Sequence, residues 1–443
     1  MMRETDFKIV FAEWKTTHLP ALIERDTKIP TAPEEIVSII GPRQAGKTYR
    51  MFQMIKELIS KNFPQDNILY INFEHHRLRN LDANDLEDML KIFYQMFSPD
   101  KNLPIYLFLD EIQNVKDWDK WTRRIYDSRK YKVFISGSSS KLSSKEIATS
   151  LRGRNIDFAI LPFSFKEFLR AEGFKIEDLE SFAYLEERGE ILKLTEKFLK
   201  FGSYPKVVLS QDEKIKEKIL QSYYNAIFYR DLVERYRLDP VLLDAFLKYA
   251  ISCFSKQISI SKIYNYLKTL GLKCSKSTLI KFLNVSCEVF FLFPVEIFSY
   301  SIKDKKQYPR KLYVVDNGII ISIYPEYKNK IGRLMENTVF IELKRREFEG
   351  KISQIFYWKD HQQREVDFVI KKGGKITQLI QVCYEIENYS ATKEREIRNL
   401  SKASKELKCK DLLVITWDYK EKETCKNKTI KYVPLWKWLL ENI

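Results

Sequence analysis

The sequence predicts an α/β protein whose N-terminal part is a parallel β-sheet with helices on both faces. Short β-branched or aromatic runs alternate there with helical stretches, and these runs are apolar almost throughout. A glycine-rich loop joins the first run to a helix. An amphipathic helix from Asp6 to about Leu22 precedes the sheet. The predicted strands are Ile36–Ile40, Ile68–Phe73, Ile105–Asp110, Lys132–Gly137 and Ile156–Leu161.

The glycine-rich loop has the complete spacing of a phosphate-binding loop, G-x-x-x-x-G-K-[ST]. Glycines let the backbone curl so that its N–H groups point at phosphate oxygens, and the N-terminus of the following helix favours negative charge. We expect Lys47 to reach the β- and γ-phosphates of ATP, and the Thr48 hydroxyl to ligate Mg²⁺. The residues of this predicted ATP site are Gly41, Pro42, Arg43, Gln44, Ala45, Gly46, Lys47 and Thr48.

A pair of acidic residues ends the apolar run Ile105–Leu109. Because Asp110 stands at the carboxyl end of a parallel strand, it is predicted to lie beside the loop and to bind in the Mg²⁺ shell. Glu111 is predicted to be the general base that polarises the attacking water. The pair therefore indicates that ATP is hydrolysed as well as bound.

Further catalytic candidates follow the next predicted strand. Ser138 is the predicted polar contact between the phosphate and the water, and an ordinary Ser/Gly loop is the alternative. Arg152 or Arg154 is predicted to stabilise transition-state charge, either in its own chain or from a neighbouring subunit of a homo-oligomer. A plain solvated basic loop is the alternative for both arginines.

The charge and the cysteines narrow the classes of partner and compartment. The 443 residues carry a net charge of +16, with 76 basic and 60 acidic side chains. This balance favours nucleic acid or an acidic partner, although Lys also serves simply to keep a protein soluble. The six cysteines form no C-x-x-C pair, which argues against a zinc site and is typical of the reducing cytoplasm. No apolar run reaches about 18 residues, so we expect no membrane span.

The middle of the chain is predicted to be helical from about Phe163 to Asp239, and a winged helix is predicted to follow. Its elements are helices around Ile260–Leu270 and Leu279–Ser286, then strands Phe290–Tyr300 and Lys311–Asp316 around a charged turn. In a domain that reads DNA, the lysines near the second helix and in the turn would meet phosphates, whereas other winged helices connect proteins. These lysines are Lys273, Lys276, Lys281, Lys303, Lys305 and Lys306.

The last part of the chain is predicted to be a small α/β domain. It opens with a helix around Arg333–Glu347 and closes with a short terminal helix. The predicted elements between them are Ile355–Trp358, Glu365–Ile370, Ile376–Tyr384, a helix near Thr392–Leu407, and Leu412–Trp417. The whole chain is thus divided into an ATPase domain (1–165), a helical segment (166–240), a winged helix (241–325) and a C-terminal domain (326–443).

The motifs resemble those of a prokaryotic family of AAA-like ATPases that carry a C-terminal domain of unknown function, DUF4143. The resemblance covers nearly the whole chain and implies an additional-strand P-loop NTPase sheet, a helical segment, a winged helix and a nuclease-like C-terminal domain. Beyond the loop and the acidic pair, the matching motifs are Ser136-Gly-Ser-Ser139, Leu151-Arg-Gly-Arg154, Leu161-Pro-Phe-Ser-Phe165, Gly202-Ser-Tyr-Pro205, Tyr229-Arg-Asp-Leu232, Tyr313-Val-Val-Asp316 and Glu336-Asn337.

The C-terminal domain looks like a PD-(D/E)xK nuclease fold with an altered site. Glu336 and Asp367 match the carboxylates that hold Mg²⁺, but Gln381 replaces a third acid and Cys383 stands where a lysine is expected. The departure argues against cleavage. Lys344, Lys359 or Lys375 is the candidate substitute from another position. The alternative is an ordinary packed domain in which Asp367 caps an element or pairs with Arg364.

The resulting hypotheses share the ATP site and differ in the partner. The first is an ATP-driven machine that binds DNA through the basic winged-helix and C-terminal parts. The second is a regulatory switch whose partner is a protein, and the third is an ATP-regulated nuclease.

Overall fold

A computed structural model describes residues 2–137, 151–174, 185–301, 308–384, 390–425 and 428–441 of the chain. The chain folds as two compact units, Met1–Leu161 and Pro162–Ile443. The finer division into four domains stays a prediction. No helix in the described ranges combines the length and the apolar character that crossing a membrane requires.

The first unit is built on a parallel sheet. Its strands are β1 (Ile36–Ile40), β2 (Ile68–Asn72), β3 (Ile105–Asp110), β4 (Tyr131–Ser136) and β5 (Asn155–Ala159). They lie in the order β2-β3-β4-β1-β5, so β4 is inserted between the strand that precedes the glycine-rich loop and the strand that ends in Asp110. This is the order of an additional-strand P-loop NTPase, and the predicted fold class is confirmed. Every residue of β1 and β3 is buried, which explains their nearly continuous apolar sequence.

Helices accompany this sheet. They are α1 (Met2–Thr16), α2 (Lys47–Ser60), α3 (Ala83–Met96) and α4 (Trp118–Asp127). The prediction that the first helix extends to about Leu22 is wrong, since α1 ends at Thr16. The Thr17 hydroxyl donates a 2.6 Å hydrogen bond back to the Glu13 carbonyl. Two residues later Leu19 precedes Pro20, and a residue before proline disfavours the helical backbone.

The second unit starts with helices. They are α5 (Phe165–Ala171), α6 (Leu185–Phe201), α7 (Pro205–Leu209) and α8 (Glu213–Ala226), followed by π-helical turns at Ile227–Glu234. The helical middle predicted from the sequence is therefore confirmed for the described residues. Ser164 caps α5 in a reciprocal arrangement with Glu167, each side chain accepting from the backbone N–H of the other.

Helices and a small antiparallel sheet follow. The elements are α9 (Pro240–Ser252), β6 (Lys256–Ile258), α10 (Ile260–Thr269), α11 (Lys276–Glu288), β7 (Leu292–Val295), β8 (Arg310–Val314) and α12 (Asn317–Ile323). The strands lie in the order β6-β8-β7, and β6 is an element that the sequence analysis missed. The helix–helix–strand–strand layout agrees with the predicted arrangement, while its assignment as a winged helix stays a prediction. The charged turn Lys303–Gln307 lies outside the described residues.

A buried carboxylate joins α6 to the start of α12. Asp316 accepts hydrogen bonds from the Ser203 amide (2.7 Å), the Ser203 hydroxyl (3.1 Å) and the Gly318 amide (2.8 Å). Gly202 ends α6 with a φ of +73°, and a Cβ atom at this position would lie 1.9 Å from Asp316 Oδ1. Burial raises the pKa of Asp316 to about 6, although these hydrogen bonds lower it.

The C-terminal part is a mixed sheet with helices. Its elements are α13 (Ile331–Phe348), β9 (Gln354–Lys359), β10 (Glu365–Lys372), β11 (Lys375–Cys383), α14 (Ser390–Leu407), β12 (Leu412–Thr416), β13 (Glu421–Cys425), β14 (Lys428–Pro434) and α15 (Leu435–Leu440). The strand order is β13-β14-β12-β11-β10-β9. The hairpin of β13 and β14 was not predicted, because charged residues and threonines at its exposed positions obscure the strand pattern.

The two outer strands of this sheet, β9 and β13, differ in what lies along their free edges. On β9, the Tyr357 amide donates to the Glu296 carbonyl (3.1 Å) and its carbonyl accepts from the Phe298 amide (2.6 Å), so the chain that follows β7 pairs with the middle of this strand. At the other end, β13 exposes Glu421 and Lys422.

Candidate nucleotide-binding site

The glycine-rich loop has the backbone conformation that its sequence predicts. Gly41, Gln44 and Gly46 have positive φ angles of 142°, 63° and 97°. A Cβ atom on Gly41 would lie 2.2 Å from the Ile160 carbonyl oxygen, so only glycine fits where the loop passes β5. Gly46 stands at the N-cap of α2 and offers no side chain to its first N–H groups. The curled loop and the uncapped helix start form a cradle that fits phosphate.

Lys47 lies across this loop. Its side chain is buried, and Nζ donates hydrogen bonds to the carbonyls of Gly41 (3.1 Å) and Pro42 (2.9 Å). The ammonium group is therefore held inside the curve of the loop, at the position where a phosphate chain would lie.

Asp110 is buried at the carboxyl end of β3 beside the loop. The Thr48 hydroxyl donates to Asp110 Oδ2 at 2.7 Å, and the Tyr70 hydroxyl donates to the same oxygen at 2.9 Å. The Ser136 hydroxyl donates to the other oxygen, Oδ1. Burial raises the pKa of Asp110, and the hydrogen bonds from Ser136 and Thr48 oppose this rise. A hydroxyl and a carboxylate in contact at the mouth of the loop are oxygen ligands of the type that Mg²⁺ prefers.

Glu111 follows Asp110 in a left-handed backbone conformation, with a φ of 54°. Its amide donates to the Ser136 hydroxyl at 3.3 Å, and its half-buried carboxylate accepts a hydrogen bond from the Gln113 side chain. The predicted general base is thus fixed next to the predicted metal ligand.

Two partners of Asp110 were missed by the sequence analysis. Ser136 and Tyr70 are hydroxyl residues at buried or half-buried positions of the strands that flank β3. A hydroxyl group within an otherwise apolar strand was the available signal. Ser138, the predicted contact to the phosphate, lies outside the described residues.

Arg154 lies at the opposite edge of the sheet from the loop. Its carbonyl accepts from the Ile36 amide at the start of β1, and its guanidinium pairs with Asp127 at 3.1 Å. Because β1 has five residues, this edge is about 16 Å from the edge that carries the loop. The suggestion that Arg154 stabilises charge in the site of its own chain is therefore wrong. Of the two predicted catalytic roles, only the one in a neighbouring subunit fits this placement.

Arg25 supports the loop from behind, which the sequence did not reveal. Its buried guanidinium donates to the Ala45 carbonyl at 2.8 Å and to the Leu161 carbonyl. The Arg25 amide also donates to the Gln53 side chain on α2 at 2.9 Å. One arginine thereby joins the loop to the end of the chain segment that follows β5.

The predicted C-terminal site residues come together, but with an unpredicted lysine. Glu336, Asp367 and Gln381 meet, and Lys311 from β8 reaches the two carboxylates. Burial lowers the pKa of Lys311, but the charges of Asp367 and Glu336 outweigh it and raise the pKa well above its usual range. Burial also raises the pKa of Glu336 to about 7, against the lowering effect of Lys311.

The substitute lysines proposed from the sequence are not in this cluster. Lys344 pairs with Glu347 at 2.5 Å, and Lys359 donates to Gln257 at 3.2 Å. Lys375 stands exposed at the start of β11, at the hairpin end. The suggested pairing of Asp367 with Arg364 is wrong as well, because Arg364 pairs with Asp360 at 2.6 Å.

The sheet order, the phosphate-binding loop and the buried Asp110 define a P-loop NTPase of the additional-strand class. A family model described as an AAA domain matches residues 33–169. A second, the domain of unknown function DUF4143, matches residues 331–438, and a third, DUF8612, matches residues 192–327. The chain belongs to the family of proteins that combine this AAA domain with a C-terminal DUF4143 domain.

Relatives over most of the chain are themselves uncharacterized. One from Methanocaldococcus jannaschii is 41% identical, over 98% of this chain and 96% of its own. One from Haemophilus influenzae is 29% identical, over 79% of this chain and 82% of its own. Among solved structures, the Aeropyrum pernix Orc1 protein in complex with DNA is similar at a TM-score of 0.27 and 14% identity, covering 74% of this chain and 94% of that one.

Proposed function

We propose that this protein is a Mg²⁺-dependent ATPase whose turnover is coupled to DNA binding. The observation that carries the proposal is the convergence of Lys47, Thr48 and Asp110 at the carboxyl edge of the sheet, with Glu111 next in the chain. A phosphate cradle, oxygen ligands for a cation and a carboxylate base are the parts that hydrolysis of ATP requires.

Each residue has a distinct task. The loop N–H groups and Lys47 bind the β- and γ-phosphates, and Thr48 with Asp110 holds the cation. When bound, Mg²⁺ supplies positive charge to the phosphate oxygens. Glu111 accepts the proton of the attacking water, while its hydrogen bond from Gln113 orients the carboxylate.

The catalytic assignment is tested by separating ATP binding from turnover. Lys47→Ala should weaken ATP binding about 10- to 100-fold and abolish turnover, because it removes a charge-assisted contact. Glu111→Gln should bind ATP normally but turn it over about 10²- to 10⁴-fold more slowly. The exposed Lys56 lies on the same helix, and Lys56→Ala is the matched control with unchanged activity. Full turnover in Glu111→Gln would remove it as the base.

The coupling to DNA is supported by the exposed lysines around α11. Lys273, Lys276 and Lys281 are all exposed, and Ser275 caps the helix by accepting from the Thr278 amide at 3.1 Å. Lysines at the start of a well-capped helix offer phosphate contacts on one surface.

ATP turnover with duplex, single-stranded and branched DNA at two salt concentrations tests this coupling. We expect stimulation by one of these DNAs that falls as salt rises. Lys273→Glu with Lys281→Glu should abolish the stimulation, whereas the same reversal at the exposed Lys214 and Lys218 of α8 should not. An ATP turnover rate that none of these DNAs changes would favour the regulatory switch with a protein partner.

The arginine at the far edge of the sheet makes the site depend on a second copy of the chain. Arg154 of one copy would complete the site of the next, because it does not reach its own. Lys47→Ala and Arg154→Ala proteins should each be inactive alone, and their mixture should recover activity. Full activity of Arg154→Ala alone would contradict this arrangement.

A further inference from the structure

A cluster of acidic side chains in the second unit surrounds one ammonium group. The acidic cluster consists of Glu336 from α13 with Glu365 and Asp367 from β10, and Lys311 reaches it from β8. Lys311 Nζ lies 3.0 Å from Glu336 Oε1, 2.6 Å from Glu365 Oε1 and 2.7 Å from Asp367 Oδ1. An ammonium group has three N–H donors. Each donor of Lys311 therefore has its own carboxylate.

The cluster is largely buried, with Glu365 its most exposed member at 28%. The Lys311 side chain is 4% exposed, and those of Asp367 and Glu336 are 9% and 13% exposed. Uncompensated buried charges are costly, so carboxylates this close together need a cation or a proton among them. In a nuclease of the fold that this domain resembles, that cation is Mg²⁺.

Five of the six carboxylate oxygens in the acidic cluster accept a hydrogen bond or an ion pair from the protein itself. Glu336 Oε1 also accepts from the Tyr313 hydroxyl at 2.8 Å, and Asp367 Oδ2 accepts from the Val382 amide at 2.9 Å. Glu365 Oε2 accepts from the Gln257 side chain at 2.7 Å. A Mg²⁺ ion requires near-octahedral oxygen ligands at about 2.1 Å. Here one oxygen of each carboxylate instead contacts Lys311 Nζ, at 2.6–3.0 Å.

Gln381 does not complete a metal site either, since its Oε1 accepts from the Asp367 amide at 3.2 Å. Among the described residues, no group of three or more His, Cys, Asp or Glu side chains is arranged to hold a metal ion. The residues present therefore do not fit the cation that the nuclease-like fold implies.

We propose that the Lys311 ammonium permanently takes the place of the divalent cation, so that the acidic cluster binds no metal and instead fastens the small sheet to the C-terminal sheet. Lys311 lies on β8, and the carboxylates lie on α13 and β10. The ion pairs thus join elements whose sequence positions are up to 56 residues apart. On this proposal, we expect no metal-dependent hydrolysis of nucleic acid at the acidic cluster.

Metal binding with and without Lys311 tests the substitution. In nucleotide-free protein that carries Asp110→Asn, which disables the loop site, the chain with Lys311 should show no saturable binding of Mn²⁺. Adding Lys311→Met leaves three uncompensated carboxylates, so this variant should lose stability and gain one Mn²⁺ site. At a Mn²⁺ concentration about 100 times Kd, its Tm should rise by roughly 5–10 °C.

Matched variants separate this outcome from a general effect of removing a lysine. Lys344 pairs with Glu347 on α13, so Lys344→Met should neither unfold the protein nor create a metal site. Lys311→Arg keeps the charge and should bind no Mn²⁺. If Lys311→Met does not fold, Lys311→Gln combined with Glu365→Gln reduces the uncompensated charge and is titrated in the same way.

Two results would overturn the proposal. One is saturable Mn²⁺ binding by the chain with Lys311 that Asp367→Asn abolishes. The other is a folded Lys311→Met or Lys311→Gln/Glu365→Gln variant that binds no Mn²⁺. Neither result depends on ATP turnover, so the ATPase proposal stands or falls separately.

Discussion

The close approach of Gly202 to Asp316 predicts a large and specific loss of stability in Gly202→Ala. Gly202 and Gly271 both follow a helix and have almost the same φ, +73° and +74°. A Cβ atom on Gly202 would lie 1.9 Å from Asp316 Oδ1, whereas nothing lies within 4 Å of a Cβ atom on Gly271. Gly271→Ala is therefore a control that shares the backbone strain and lacks the clash.

The size of the stability loss in Gly202→Ala can be worked out from the contacts that the clash disrupts. Left-handed backbone costs a residue with a Cβ atom about 1–2 kcal/mol, and this cost applies to both variants. In Gly202→Ala the Asp316 carboxylate must also move away from Ser203. It would then lose the hydrogen bonds that it accepts from the Ser203 amide (2.7 Å) and hydroxyl (3.1 Å). Each hydrogen bond to a charged group contributes about 1.5–3 kcal/mol, so Gly202→Ala should lose roughly 3–6 kcal/mol more than Gly271→Ala.

Amide hydrogen exchange along residues 162–441, measured by mass spectrometry in urea, reports the second unit separately from the first. We expect Gly202→Ala to lower the midpoint of this unit far more than Gly271→Ala. Asp316→Ala, which removes the clashing carboxylate, should shrink the difference between the two alanine variants. Equal losses in both variants, or a difference that survives in the Asp316→Ala background, would show that the clash with the carboxylate does not cause the loss.

Two further predictions concern single buried groups. Burial raises the pKa of Asp316 from 3.8 to about 6, so between these pH values the folded chain holds a proton that the unfolded chain has released. The free energy of unfolding should therefore fall by roughly 3 kcal/mol as pH rises from about 4 to 6, and should level off at higher pH. Asp316→Asn should lack this slope in urea unfolding curves, and parallel pH profiles would contradict it. Arg25→Met should weaken ATP binding about tenfold without unfolding the protein, because the Ala45 carbonyl loses the donor that lies 2.8 Å away. An unchanged Kd in a fluorescent-nucleotide titration would show that the loop does not need this hydrogen bond.

The sequence predicted the elements whose signals are local. The strands β1 and β3 were predicted at their observed bounds, because each is a buried apolar run that ends at a loop with chemistry of its own. The phosphate-binding loop was recognisable for the same reason, since its glycines and Lys47 stand within eight residues. Such patterns depend on backbone geometry that neighbouring residues determine.

The contacts that remained hidden join distant parts of the chain. Arg25 and Leu161 are 136 residues apart, and Lys311 and Asp367 are 56 apart. No local pattern distinguishes Lys311 from the many solvated lysines of this basic chain, because its burial depends on how β8 packs against α13 and β10. The candidate lysines considered from the sequence all follow Glu336, whereas the lysine that contacts the carboxylates precedes it on β8.

The two outer strands of the C-terminal sheet give neighbouring molecules little to pair with. Unpaired backbone groups at a sheet edge recruit strands from other chains, and charged side chains there oppose such pairing. In the middle of β9, the chain at Glu296–Phe298 pairs with both backbone groups of Tyr357. The other outer strand, β13, presents Glu421 and Lys422. Copies of this protein should therefore resist growing into sheet aggregates when concentrated. Any association between them, such as the one proposed for Arg154, should use folded surfaces and not strand pairing.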